Sequence, residues 1–155
     1  MTPRPVRESH VITTQLVLPN DTNQLGNLLG GTLMHWIDIA AAIAAQRHAD
    51  RVCVTASVDE LNFIQPIRLG DVVTLQASVN RAFRTSMEIG VVVTAQTRAG
   101  HDHRRANNAY LTFVAVDDEG KPSEVPGVIP ESPDELRRFE EALVRRQHRL
   151  AHRST

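Results

Sequence analysis

The chain is almost without cysteine and lysine. Cys53 is its only cysteine, so no disulfide forms within the chain. Lys121 is its only lysine and arginine supplies the remaining positive charge, a bias of the kind that genomic composition produces. An excess of one sign is missing as well. The 17 basic and 18 acidic residues leave a formal charge of −1, which argues against bulk nucleic-acid binding. No uncharged apolar run approaches the ~18–20 residues of a membrane span. The opening MTPRPVRESH has no apolar signal core, and the cytoplasm is the expected compartment.

Several catalytic signatures are absent too. No serine lies in G-x-S-x-G, which excludes a nucleophile elbow. Neither G-x-x-x-x-G-K-[ST] nor G-x-G-x-x-G occurs. The His and Cys spacings match no zinc pattern. His101 and His103 flank Asp102 in a polar stretch that reads as a solvated loop more readily than as a metal site. No metal and no separate cofactor are expected.

What is present is an ordinary globular composition. The 155 residues are 41% hydrophobic and 23% charged, which suits one domain that buries about two thirds of its unfolded surface. Residues 1–10 read as a loose lead-in and VITTQLVL, residues 11–18, as a strand. PNDTNQLGNLLGG, residues 19–31, carries the Asn, Asp, Pro and Gly of a loop. From Thr32 the period becomes helical. Leu33, Ile37, Ala41 and Ala44 share one face, and five alanines between Ala40 and Ala45 make the helix thin enough to lie close to a sheet. It should run about 16–18 residues.

After Arg51 the period is two. Val52, Val54, Ala56 and Val58 alternate with Cys53, Thr55, Ser57 and Asp59. Leu61 and Phe63 break the phase, and a bulge near Glu60 explains the break. Three further alternating runs follow, through Val73–Val79, Met87–Ala95 and Ala109–Ala115, with turns expected at Gly70-Asp71, 80–86 and 97–106. Ser132, Pro133 and Glu135 fit a capping box for a last helix over about 133–150. Leu136, Phe139 and Leu143 give it a narrow apolar stripe. The order predicts an α+β fold with an antiparallel sheet curled around a long central helix. Such a sheet leaves an open edge, and pairing with a twin removes that liability. A homodimer is expected.

Chemistry concentrates where the loop meets the helix. Asp38 stands inside WIDIAAAIAA, the most apolar stretch of the chain, and a carboxylate there must be paired, hydrogen-bonded or wet. It either points to solvent or ties down a neighbouring segment, or it is a base in a cleft. Asn23 adds a short polar side chain. Gly30 and Gly31 add amides at a helix start, where partial positive charge suits an oxyanion. Turn and cap chemistry explains each of these features taken singly. His35 shares a helix face with Asp38 but reads more simply as an exposed or packed residue. Trp36 and Phe63 read as packing, and Cys53 as a small buried hydrophobe.

Taken together, PNDTNQLGNLLGGTLMHWIDIAAAIAAQRHA resembles the signature of hotdog-fold acyl-CoA thioesterases, in particular the acyl-CoA hydrolase subgroup with the brain-type enzyme and short bacterial members. VTASVDELNFIQPIRLGDVV, NRAFRTSMEIGVVV and AYLTFVAVDDEGKP are similar to its later strands, so the likeness spans about residues 10–125. The resemblance implies an acyl-CoA thioester hydrolase. It matches Asn23 to the active-site asparagine, Asp38 to the catalytic acid, and Gly31, with Gly30, to the turn whose amide faces the thioester oxygen. It matches Thr85 and Ser86 to a hairpin beside coenzyme A. It also implies sites shared between the two halves of a homodimer, three of which assemble further. Asp38 then acts as general base on water, or attacks directly through an anhydride. The phosphates of coenzyme A call for cations, with Arg81, Arg84 and the arginines of the last helix as candidates; residues 134–155 hold six arginines against four acids. A solvated helix face is the plainer account of that excess. The competing functions are a dehydratase or hydratase acting on hydroxyacyl thioesters, and a non-catalytic acyl-CoA sensor.

Overall fold

A computed structural model describes residues 1–153; Ser154, Thr155 and the side chain of Arg153, one of the six arginines counted above, lie outside the described residues. Five strands form one antiparallel sheet: β2 (Val11–Leu16), β3 (Cys53–Phe63), β4 (Val72–Ala82), β5 (Ser86–Gln96) and β6 (Arg104–Ala115), in the order β2-β4-β5-β6-β3. Helix α1 (Gly30–Ala49) lies across the inner face. Helix α2 (Pro133–Arg153) lies on the outer face. This is the hotdog arrangement that the patterning and the resemblance led us to expect.

Alternation places the core. Val73, Leu75, Ala77 and Val79 of β4, Met87 to Ala95 at every second position of β5, and Ala109, Leu111, Phe113 and Ala115 of β6 are all buried. They meet Leu33, Ile37, Ala40, Ala41, Ala44 and Ala45 of α1. The small alanine side chains let the helix axis approach the sheet, so β-branched and aromatic residues of the strands fill the space between. The helix begins at Gly30, two residues before the period alone suggests, because glycine carries no apolar signal. It ends where Asp50 takes a left-handed conformation, φ 53°.

β3 departs from simple alternation at two places. Its register against β6 shifts between Thr55 and Ser57 and again between Val58 and Glu60. The second shift is the bulge expected near Glu60; the first has no signature in the sequence. Together they turn Cys53 and Thr55 towards α1, then Val58, then Leu61 and Phe63. β3 is an edge strand, and Val54 on it is 47% exposed.

The N-terminal residues are not a loose lead-in. Arg4–Pro5 (β1) pairs in parallel with Val128–Ile129 (β7), and Val6 and Ser9 are buried. Two residues are too few to show a period, so this pairing is invisible to pattern reading. The strap it forms is fastened by His48, which is fully buried in the last turn of α1. Its Nε2 donates to the Pro126 carbonyl at 2.7 Å, and Nδ1 has no partner. Burial lowers the His48 pKa below 6.5, and the Arg4 charge adds to that, against opposing contributions from Pro126 and Glu8. A depressed histidine contributes stability that is complete above the unfolded value of 6.5 and is lost as pH falls towards the folded value. The thermal midpoint should therefore drop between pH 7.5 and 5. A His48→Gln variant should lose that part of the slope; identical pH profiles would remove His48 as its source.

On the outer face, Ser132 Oγ accepts from the Glu135 amide at 3.1 Å, and the Glu135 carboxylate turns back to the Glu131 amide at 2.9 Å. That is the expected cap, shifted by one residue on its return arm. Ala142 is the fully buried residue of the helix, while Leu136 stays exposed. No helix among the described residues is long and apolar enough to cross a membrane.

Candidate active site

The loop before α1 is held by its own polar side chains. The Asp21 carboxylate accepts from the Leu18 amide at 2.8 Å, and Thr22 Oγ1 donates to the Pro19 carbonyl. Asn23 Oδ1 accepts from the amides of Leu25 (2.9 Å) and Asn27 (3.1 Å). Gly26, at φ +79°, closes the turn by donating to the Asn23 carbonyl. These two N–H bonds fix which way the Asn23 carboxamide faces. Its oxygen is occupied by the loop, and its exposed Nδ2 is left to donate outward. Asn23 can thus offer an N–H to a carbonyl or a water, and little else.

The helix start is equally open. Leu29 precedes the first turn and supplies no side-chain cap. Leu33 donates to the Leu29 carbonyl, while the Gly30 and Gly31 amides have no acceptor among the described residues. A Cβ added to Gly31 would meet nothing within 4 Å. The fold therefore does not require glycine at that position. What its absence of a side chain does is leave an unsatisfied donor approachable at the positive end of a 20-residue helix. Beside Gly30 lies the Phe63 ring, 64% exposed and so not the packing residue expected.

Asp38 sits two turns further along α1 and is half-buried. Its Oδ1 accepts from Thr55 Oγ1 at 2.7 Å, across to β3. The carboxylate is thereby tethered to the sheet edge, and Oδ2 stays without a partner among the described residues. His35 is exposed and forms no bond to Asp38. Thr55 is the site residue that sequence reading passes over. It is an ordinary polar residue of an edge strand, placed on the same face as Cys53 and opposite the buried Phe113 of β6. Cys53, buried nearby, has its thiol pKa pushed up to about 11 by desolvation, which disqualifies it as a nucleophile at neutral pH.

Seven residues separate Gly31 from Asp38. At 1.5 Å per residue this is ~10 Å along one helix face.

The β4–β5 turn carries the remaining candidates. The Thr85 carbonyl accepts from the Ala115 amide, and Ser86 Oγ accepts from Arg146 at 3.4 Å. Arg84 is exposed. Arg81 is engaged with α2 instead: it donates to the Phe139 carbonyl at 3.0 Å and stacks 3.9 Å from that ring. Among the described residues no three His, Cys, Asp or Glu side chains are grouped to hold a metal.

Comparison with known proteins agrees with this geometry. Residues 25–100 match the thioesterase superfamily model. Over 143 residues, 92% of this chain and 83% of the other, the sequence is 41% identical to an uncharacterized acyl-CoA thioester hydrolase of Bacillus subtilis. It is 40% identical to the cytosolic acyl coenzyme A thioester hydrolase of mouse, where the match covers 90% of this chain but only 37% of that longer protein. A hexameric acyl-CoA thioesterase superposes with a TM-score of 0.95 at 39% identity, covering 98% of this chain and 97% of that one. The acyl-CoA hydrolase of Staphylococcus aureus, solved with butyryl coenzyme A, coenzyme A and coenzyme A disulfide, superposes at 0.91 with 42% identity over 97% and 93%. Structures of that hydrolase include alanine variants of one aspartate, one asparagine and one threonine. The chain belongs to the thioesterase superfamily and has its hotdog fold. Within that class it is one of the acyl-CoA thioester hydrolases.

Proposed function

We propose that the chain hydrolyses acyl-CoA to a free acid and coenzyme A at sites built between two copies of itself. Each site takes the helix start and Asn23 from one half and Asp38 from the other, a reading supported by the open edge of β3, to which Thr55 ties the Asp38 carboxylate. β3 offers the means. It is an open sheet edge with Val54 and Val58 exposed, and Ile39 of α1 is exposed beside it. Pairing that edge with its twin covers apolar surface and satisfies free backbone groups in one step. The three residues replaced in the S. aureus hydrolase follow one another at the same spacing as Asn23, Asp38 and Thr55 do here. The hexameric relative supports further assembly of such dimers, as three.

The chemistry is then spare. Asp38 takes a proton from water as the oxygen attacks the thioester carbon. Thr55 holds Oδ1 so that Oδ2 faces the water. The Gly31 amide, aided by Asn23 Nδ2, receives the developing oxyanion. Collapse of the tetrahedral adduct expels a thiolate, which needs little protonation because a thiol pKa is ~8.5. No resident cofactor is called on. A dehydratase would need a histidine beside the acyl carbons, and the exposed His35 is unbonded to Asp38.

Release of free thiol, followed with a trapping dye across acyl-CoAs from acetyl to palmitoyl, tests the activity. Saturable binding with no thiol release from any of them would leave a sensor. The shared site is tested by mixing inactive Asn23→Ala and Asp38→Ala subunits. Mixed dimers should regain activity through the one site that keeps both residues. No recovery in verified heterodimers would mean that each site is built within one subunit.

A further inference from the structure

Among the described residues, Asn27, His48, Asn107 and Asn108 each hold a shielded polar side-chain atom without a partner. Asn107 differs from the other three. It is fully buried, and both Oδ1 and Nδ2 lack a partner. A carboxamide shut away from water in this state costs free energy at each atom. The fold alone gives no reason to keep it.

Its place in the sheet gives one. Asn107 is in phase with the buried Ala109, Leu111 and Phe113 of β6, on the inner face that meets α1. Its neighbours across the two ladders are Val93 of β5 and Phe63 of β3. Side chains paired in this way share a face, with Cβ atoms ~4.5–5.5 Å apart. Neither neighbour offers a hydrogen bond. The Phe63 ring in turn stands beside the helix start, its Cζ 4.0 Å from where a Cβ on Gly30 would lie. The Asn107 carboxamide therefore sits one aromatic ring away from the Gly30 and Gly31 amides. That ring is 64% exposed, so it can swing outward without crossing the core.

We propose that Asn107 reads the acyl group, and that the preferred substrates are acyl-CoAs whose acyl chain carries a hydroxyl. The inference rests on the acyl-CoA hydrolase reading and deepens it. With the thioester oxygen on the Gly31 amide, an acyl chain that turns inward passes Phe63 and meets the carboxamide. An alkyl chain leaves both orphaned atoms as they are. A keto oxygen accepts from Nδ2 alone. A hydroxyl accepts from Nδ2 and donates to Oδ1, and so serves both. The carboxamide is already desolvated and gives up no partner to make these bonds, which removes a usual cost of binding a polar group. The order hydroxyacyl, then ketoacyl, then alkyl follows. Gly31, Phe63 and Asn107 belong to one chain, so this order holds whichever subunit supplies Asp38.

The test follows thiol release from butyryl-CoA, acetoacetyl-CoA and the 2-, 3- and 4-hydroxybutyryl-CoAs, which differ only in the acyl chain. The hydroxyl that reaches Asn107 should raise kcat/KM about ten-fold over butyryl-CoA, the size of one net hydrogen bond. Acetoacetyl-CoA should fall between. Asn107→Leu should bring the hydroxyacyl-to-butyryl ratio to about one and raise the urea midpoint, since two unpaired groups leave the core. Asn107→Ala gives the same comparison of ratios if the leucine variant does not fold. A raised midpoint with an unchanged ratio would make Asn107 a structural orphan and overturn the proposal. A wild type that releases thiol from butyryl-CoA, but no faster from any hydroxy analogue, overturns it too and leaves the hydrolase reading standing. Thiol release from none of these esters would fell both readings.

Discussion

Asp38→Asn is expected to lower kcat by ~10²–10⁴, the range for removing a general base, while leaving the fold and acyl-CoA binding intact. The substitution is nearly isosteric. The asparagine oxygen still accepts from Thr55 Oγ1, so β3 and α1 stay tied together. What is lost is the second oxygen, Oδ2, which no protein group occupies among the described residues and which an amide nitrogen replaces with a donor. Single-turnover rates and circular dichroism on the same samples separate chemistry from folding. Near-normal kcat would take Asp38 out of the mechanism. Thr55→Val refines the result: it keeps the carboxylate but frees its orientation, so it should cost less than Asp38→Asn and rescue nothing when the two are combined. An additive loss in the double variant would mean that Thr55 acts on something other than Asp38.

The candidate site was legible in the sequence to the extent that single residues reported a conflict with their surroundings. An aspartate among alanines and isoleucines is such a conflict. Asp38 therefore stood out, whereas Asn23 and Gly31, which turn and cap chemistry explain singly, were singled out by the family resemblance. Thr55 did not stand out, because a threonine on an edge strand conflicts with nothing. Its role comes from the strand face it shares with Cys53, and which face of β3 meets α1 becomes visible only once the partner strand is known. The fold was legible for a similar reason: four runs of period two and one alanine-rich helical period allow few arrangements. The strap β1–β7 escaped, having too few residues to show a period. The arginines of α2 looked like a surplus of charge until their partners appeared. Glu88 lies in a strand whose neighbours Met87 and Ile89 point into the core, so by alternation it reads as solvent-facing. Arg145 of the helix that covers it lies 57 residues on, and nothing local announces that.

Removing that cover should have the largest effect on stability. Glu88 is 2% exposed, and its oxygens accept Nε and Nη2 of Arg145 at 2.9 and 2.8 Å, with Asn80 Nδ2 at 2.9 Å. Gly90 is required there: a Cβ at that position would stand 2.8 Å from Asn80 Nδ2. Arg145 also lies over the Tyr110 ring at 3.7 Å. Burial by itself would lower the Arg145 pKa, and the Glu88 bonds and charge outweigh it, so the net shift is upward. Arg145→Met leaves the Glu88 carboxylate buried with one amide for company, at a cost of ~3–5 kcal/mol. Against a typical total of ~5–15 kcal/mol, that is a large fraction. The double variant Glu88→Leu/Arg145→Met removes both charges and keeps apolar volume, so it should recover most of the loss. Urea unfolding at one fixed subunit concentration measures both, the concentration mattering because assembly adds to apparent stability. A single-variant loss below ~1 kcal/mol would show that water reaches Glu88 and that the pair behaves like an exposed one. A double variant as weak as the single would place the stabilisation in the packing of Arg145 on Tyr110, with the charge of Glu88 incidental to it.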